Sequence, residues 1–168
     1  MNIKKTVAVM LCAVFAAAML SGCVSSTTVK EKDAGEVTIF VDETIKGAIT
    51  DAAAAYTKPV REFPEREKAI ILIVSDSTED IVSRVENGEY ADAVFVFGDE
   101  ALNALDAATE GKDFIVHSSR VALNSEDGAQ YAIAVLNNSD RQSVVQGFID
   151  YLMSDEAADV LGGNGLKK

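Results

Sequence analysis

The 168-residue chain has little of the material from which catalytic and metal sites are usually built. It contains two cysteines, no tryptophan and a single histidine, His117. Because a zinc site draws several ligands from Cys and His, this composition excludes one. Patterns of the Gly-x-Ser-x-Gly, Gly-x-Gly-x-x-Gly and phosphate-loop types are also missing from the sequence. We therefore expect no enzymatic activity, no resident metal and no cofactor.

Positive charge is scarce too. The chain has 15 Lys and Arg residues against 27 Asp and Glu, which gives a net charge of −12 at pH 7 with His neutral. Nucleic acids and anionic lipid headgroups bind basic surfaces, so neither is an expected partner of the protein body. At this acidity, neighbouring carboxylates more often form a solvated face than a site.

The first residues have the pattern of an export signal. Lys4 and Lys5 precede the apolar run Val7–Leu20, which is short for a bilayer span and typical of a signal peptide. The run ends in Leu20-Ser21-Gly22-Cys23, which resembles the lipobox of prokaryotic lipoproteins. We expect residues 1–22 to be a lipoprotein signal peptide and Cys23 to carry lipid that anchors the protein to the membrane outside the cytoplasm. An ordinary signal peptide with a stray cysteine, or an uncleaved anchor, is the alternative.

The chain after the signal is expected to fold without a disulfide. Cys12 would leave with the signal, so Cys23 would be the only cysteine left and a packed core must supply the stability. Residues 23–36 are rich in Ser, Thr, Lys and Asp, a composition typical of a flexible tether. We predict one domain over residues 37–168.

Apolar runs and helical patterns alternate along this domain. Strands are predicted at Val37–Val41, Ala69–Val74 and Ala91–Phe97, each followed by a helix. The first helix should bury one face, made of Ile45, Ala48, Ile49, Ala52, Ala53 and Tyr56. Repeated strand–helix units imply parallel strands with right-handed crossovers. The expected fold is therefore α/β, a three-layer sandwich with a mostly parallel central sheet flanked by helices.

The remaining residues are less regular but still predict ordered elements. Residues 114–116 and 121–123 are strand-like, Tyr131–Leu136 is a further strand, and a helix follows with Val144 and Phe148 on its buried face. The glycine-rich residues 162–165 are interpreted as a helix end and a frayed tail.

The first strand and helix meet at a natural binding corner. Val37–Ile45 passes from a strand through Asp42 and Glu43 directly into a helical pattern. Helix N-termini present unpaired N–H groups, and open α/β sheets bind ligands at the carboxyl ends of their strands. We expect any ligand to lie here.

Four segments of the chain resemble stretches of a known family. They are Val37–Ile45, Ser75–Thr78, Gly88–Asp99 and the pair Tyr131–Leu136 with Phe148–Ala157. Gly88–Asp99 resembles a Gly-x-x-Ala-Asp-Val-Phe strand and turn, and Phe148–Ala157 resembles a Phe-x-x-Phe-Leu-x-Ser-x-Glu-Ala helix. On these segments the chain is similar to the molybdate- or tungstate-binding proteins of ABC transporters, which are type II periplasmic binding proteins.

The resemblance implies a solute-binding protein that captures a small oxyanion and feeds an ABC permease. The family's first-turn serine aligns with Thr44, and its Ser-rich second turn with Ser75–Thr78. The predicted anion donors are therefore Thr44, Ser75, Ser77 and Thr78. Each of the four also suits a helix cap, and capping alone would explain it.

Two departures from the family bear on this expectation. The family's second lobe should lie between Leu123 and Tyr131, where this chain has only a short connection, so one lobe is expected. Asp42 and Glu43 also replace two family alanines. A carboxylate about 5 Å from a dianion repels it by about 7 kcal/mol at an effective dielectric near 20. That repulsion would cancel most of a micromolar binding energy of about 8 kcal/mol.

Two alternatives follow from the departures. A single lobe without a ligand could be a docking lipoprotein that binds a permease, another lipoprotein or a second copy of itself. A weaker hypothesis is a cation site, since hard cations take oxygen ligands. It would be formed by the strand-end carboxylates Asp42, Glu43, Asp76 and Asp99.

Overall fold

The computed structural model describes residues 35–58, 66, 69–107 and 114–168. The predicted signal peptide and almost all of the predicted tether lie outside these residues. The described elements, in chain order, are β1 (Glu36–Asp42), α1 (Lys46–Tyr56), β2 (Ile70–Asp76), α2 (Thr78–Glu86), β3 (Ala93–Phe97), α3 (Asp99–Ala107), a 3-10 turn (His117–Ser119), β4 (Val121–Ser125), β5 (Gln130–Val135), α4 (Gln142–Leu152), α5 (Ala158–Gly163) and β6 (Leu166–Lys167).

The strands form one mixed sheet in the order β2-β1-β3-β5-β4-β6. β1 pairs in parallel with both β2 and β3, as the strand–helix units predicted. The three other pairings, β3 with β5, β4 with β5, and β4 with β6, are antiparallel. The expectation of a mostly parallel sheet is therefore wrong. Only the β4–β5 pairing has a local cause, because a short hairpin turn joins these two strands and reverses the chain. The antiparallel pairing of β3 with β5 joins segments that are distant in sequence.

An apolar core covers each face of the sheet. β1 shows why, because its alternate residues point in opposite directions. Val37, Ile39 and Val41 pack with α1, α4 and α5, whereas Phe40 packs with α2 and α3. All six residues predicted for the buried face of the first helix are buried. The sheet and its two helical layers therefore form the predicted three-layer arrangement.

Two local predictions fail in the second half of the chain. Residues 114–116 do not form a strand, and Ile115 makes only an isolated antiparallel bridge to Leu136. The supposed frayed tail is ordered, since Leu166 and Lys167 pair with β4 and the Leu166 side chain is buried in the core. Both differences depend on contacts with distant strands, which local patterns do not encode.

The described residues from 35 to 168 pack as a single unit. In the described part of the chain, every helix is too short or too polar to cross a bilayer.

Candidate functional site

The three parallel strands end at one edge of the sheet, and direct bonds tie these ends together. The Glu43 N–H donates to the Asp76 carbonyl oxygen at 3.0 Å, which links the ends of β1 and β2. The Phe97 N–H donates to Thr78 Oγ1 at 2.8 Å, which links the end of β3 to the start of α2. The predicted corner is therefore a closed junction of three strand ends.

The Asp42 carboxylate points into this junction. Asp42 is only 6% exposed. Oδ1 accepts hydrogen bonds from the Thr44 N–H at 3.0 Å and from the Thr44 hydroxyl. Oδ2 accepts one from the Thr78 hydroxyl at 2.6 Å. Three donors therefore converge on a carboxylate that belongs to the chain itself.

The charged form of Asp42 is the stable form. Burial by itself raises the pKa of this carboxyl group, but the hydrogen bonds from Thr44 and Thr78 together outweigh burial. The pKa of Asp42 therefore lies below its ordinary value. At neutral pH the junction contains a full negative charge.

Aromatic side chains close one side of the junction. Thr44 Oγ1 lies 3.0 Å from the Tyr131 hydroxyl. Because the single Thr44 hydroxyl proton is directed at Asp42, Tyr131 is the donor in this second bond. The Phe97 ring packs edge-on against Tyr131 at a centroid distance of 5.7 Å, yet Phe97 remains 53% exposed. Neither aromatic residue was among the predicted site residues, since their approach depends on the antiparallel pairing of β3 with β5.

The structure separates the four predicted donors. Thr44 and Thr78 meet around Asp42, as described above. Ser77 caps α2, because its hydroxyl oxygen accepts from the Asp80 N–H at 3.2 Å and donates to Asp80 Oδ2 at 2.8 Å. Ser75 lies inside β2, on the strand face that alternation assigns to α1 rather than to α2.

The strand-end carboxylates do not gather around a common point. Asp76 accepts from the Ser77 N–H at 3.0 Å and from Arg84 at 3.4 Å, while Glu43 is exposed. Arg84 itself forms a two-pronged pair with Glu89. Among the described residues, no cluster of three or more His, Cys, Asp or Glu side chains could hold a metal ion. The cation hypothesis therefore has no structural support.

A groove of about 460 Å³ adjoins the junction. α2 contributes Glu79 and Val82 to one wall, and α3 contributes Glu100 and Ala101 to the other. Phe97 lies between the two walls, at the carboxyl end of β3. The exposed aromatic ring therefore belongs both to the edge of the junction and to the groove.

The comparison with protein families identifies the chain. The family model of bacterial extracellular solute-binding proteins matches residues 68–167, which is more than half of the sequence. The chain belongs to this family. No curated protein matches the sequence. Membership confirms the predicted class, an extracellular solute-binding protein.

Solved structures of two solute-binding proteins share the fold. One is described as the substrate-binding domain of a molybdenum ABC transporter from Clostridium difficile, with a TM-score of 0.64 and 11% identity over 79% of this chain and 98% of that chain. The other is the sulfate-binding protein SubI from Mycobacterium tuberculosis H37Rv, with a TM-score of 0.62 and 8% identity over 79% of this chain and 86% of that chain. At such low identity the likeness establishes the fold and leaves the ligand open.

The donors of this solute-binding protein are already engaged. An anion oxygen held by the Thr78 hydroxyl would lie about 2.7 Å from that hydroxyl oxygen. Because the same hydroxyl oxygen is 2.6 Å from Asp42 Oδ2, the two negative groups would lie within about 5 Å. A dianion at that distance is repelled by about 7 kcal/mol at an effective dielectric near 20. Asp42 is thus both the present occupant of the junction and an obstacle to a second anion.

Proposed function

We propose that this solute-binding protein is a lipoprotein anchored through Cys23, outside the cytoplasm, in association with an ABC transporter. The family match supports the extracytoplasmic role. The transporter association is supported by the description of one structural neighbour, which names an ABC transporter. The anchor rests on the lipobox-like Leu20–Cys23 that follows an apolar run. Cys23 lies outside the described residues, so its modification is a proposal from sequence.

We infer further that the protein docks a protein partner through its strand-end face and does not capture free molybdate or tungstate. The single observation behind this inference is the buried Asp42 carboxylate, which takes the Thr44 and Thr78 hydroxyls that the family resemblance assigned to the oxyanion. A charged group that fills the corner removes both the donors and the favourable field that a dianion needs.

Oxyanion binding is the second candidate. It is favoured by the two structural neighbours, whose descriptions name molybdenum transport and sulfate binding. It also requires only that Asp42 turn away from Thr44 and Thr78, which would free both hydroxyls and the Thr44 N–H. In that case molybdate or tungstate would be the expected ligand and the ABC permease the partner.

A thermal-shift experiment on residues 32–168 separates the two candidates. The domain would be heated with increasing molybdate, tungstate, sulfate or calcium, up to millimolar concentrations. We expect no saturable rise in Tm with any of them. Saturable stabilisation by molybdate and tungstate alone would overturn the docking function and establish the second candidate.

The proposed anchor is tested separately with the full chain. Cys23→Ser should move the protein from the membrane fraction to the soluble fraction of a bacterial host that processes lipoproteins. Cys12→Ser is the matched control and should leave the protein with the membrane, because Cys12 precedes the predicted cleavage point. A Cys23→Ser protein that stays fully membrane-bound would contradict lipid anchoring at that residue.

A further inference from the structure

We propose that the groove between α2 and α3 binds a short segment of a partner protein in which basic and apolar side chains alternate. This inference rests on the docking function proposed above and assigns that function a binding surface and a partner chemistry. It depends on two features of the groove, a fixed apolar floor and a pair of carboxylates on opposite walls.

The floor is formed by Phe97 together with small and branched side chains. Phe97 ends a strand whose four preceding residues are all buried, yet Phe97 itself is 53% exposed. The ring is not free to fold away, because it packs edge-on against the buried Tyr131 at 5.7 Å. Val82 and Ala101 continue the apolar surface on either side. An exposed aromatic side chain in a concave surface is typical of a protein–protein interface.

The walls carry negative charge on both sides of this floor. Glu79 from α2 and Glu100 from α3 line the groove, and the described residues that line it include no Lys, Arg or His. The Glu100 carboxylate lies close to the end of β3, since a Cβ added to Gly98 would be only 2.8 Å from Glu100 Oε2. Gly98 has a φ of +77°, so it suits the turn and also leaves room for that carboxylate.

Charge decides which occupant fits the groove. A second copy of this chain has a net charge of −12, and an anionic membrane is negative as well, so both are repelled by the two carboxylates. The described residues offer no cluster that could hold a metal ion. Lys and Arg, by contrast, can lay their apolar stems along Phe97 and Val82 while their charged ends reach Glu79 or Glu100. A basic and apolar segment therefore satisfies the whole surface.

The binding can be measured by NMR with a defined probe. The ¹⁵N-labelled domain of residues 32–168 would be titrated with the capped peptide Leu-Lys-Leu-Arg-Leu and with its acidic counterpart Leu-Glu-Leu-Glu-Leu. We expect saturable shift changes centred on the amides of Phe97 and Ala101 with the basic peptide only. The affinity should fall as salt rises, because screening weakens charge pairing.

Two sets of variants locate the binding. Two variants should each lower the affinity for the basic peptide at least tenfold: Phe97→Ala and the double variant Glu79→Gln/Glu100→Gln. The matched control is Glu86→Gln/Asp159→Asn, which removes two exposed negative charges outside the groove and should leave affinity within twofold. An unchanged ¹⁵N spectrum away from the substitutions shows that each variant is folded.

The outcomes distinguish this inference from the function on which it rests. If the basic peptide causes no saturable change, or if the control double variant loses as much affinity as the groove variant, the groove assignment is wrong. The docking function would still stand after that result, provided that no anion raises Tm in the thermal-shift experiment. If molybdate raises Tm saturably in the thermal-shift experiment, the docking function is wrong, whether or not the basic peptide binds.

Discussion

Replacing Asp42 by alanine should convert the occupied junction into an oxyanion site. The substitution removes the carboxylate and frees three donors, the Thr44 N–H, the Thr44 hydroxyl and the Thr78 hydroxyl. It also restores one of the two alanines that the resemblance places at this turn. The same three groups that now hold Asp42 would then face a cavity open to a small anion.

The size of the effect follows from the geometry. A bound dianion about 5 Å from Asp42 is repelled by about 7 kcal/mol, and this repulsion disappears in the variant. A gain of that size is the whole binding free energy of a site with a Kd of about 10 µM. The substitution also carries a cost, because each lost hydrogen bond to a charged group contributes about 1.5–3 kcal/mol. The variant without ligand should therefore melt below the original protein.

Thermal unfolding with and without molybdate is the suitable assay. At a ligand concentration 100 times Kd, binding stabilises the folded state by about 2.7 kcal/mol. For a domain of this size, that corresponds to a rise in Tm of about 5–10 °C. Glu43→Ala is the matched control, since it removes a neighbouring exposed charge without touching the three donors, and it should stay unresponsive.

Two results would refute the reasoning. If folded Asp42→Ala shows no response to molybdate, tungstate or sulfate, the converging donors do not form an oxyanion cradle. If Glu43→Ala responds as strongly as Asp42→Ala, the general negative field of this acidic protein excludes the anion, and the buried carboxylate has no special part.

Three further predictions concern stability. The pKa of Asp42 is lower in the folded protein than in the unfolded chain, so its stabilising contribution is complete above the ordinary carboxyl pKa of about 4 and is lost as pH falls through the folded value. In urea unfolding, the free energy of unfolding should therefore fall less between pH 7 and pH 2 for Asp42→Asn than for the original protein. Gly98→Ala should destabilise the domain by about 1 kcal/mol or more, because Gly98 has a positive φ that an alanine adopts only with strain. By contrast, Gly47→Ala in α1 adds a Cβ that meets no atom within 4 Å, so it should leave Tm unchanged or higher. Asp92→Ala should lower the free energy of unfolding by about 3 kcal/mol, because it removes the acceptor of the Thr38 N–H at 2.7 Å. The folded fraction of this variant should bind the basic peptide with unchanged affinity. A loss of affinity as large as that of the groove variants would contradict a purely structural role for Asp92.

Local patterns predicted the parts of the fold that depend on one segment at a time. The buried face of α1 was predicted from apolar residues at three- and four-residue spacing. All six of these residues, the first being Ile45 and the last Tyr56, are buried. The strand–helix units also predicted that β1, β2 and β3 run parallel, because a crossover helix returns each strand in the same direction.

The rest of the sheet was not predictable in this way. Whether β5 lies beside β3, and in which direction, depends on contacts between residues such as Phe97 and Tyr131 that are distant in sequence. A two-residue strand such as β6 has no period of its own, and only its pairing with β4 makes it a strand. The mostly parallel sheet was therefore expected from the first half of the chain and contradicted by the second.

For the binding corner, the sequence alone determined the ingredients. It placed Asp42, Glu43 and Thr44 between a buried strand and a helix, and it placed Thr78 at the start of the next helix. Hydrophobic periodicity and helix-cap preference are local properties, so they can be inferred from the sequence directly.

Only the tertiary structure decided what those ingredients do. Asp42 could have pointed to solvent or into the corner, and its direction depends on a hydrogen bond from Thr78, which lies 36 residues away in the sequence. Folding brings that hydroxyl against a carboxylate because β1 and β2 are paired in register up to Asp42 and Asp76. The corner at which the resemblance placed an oxyanion is therefore filled by the protein's own negative charge.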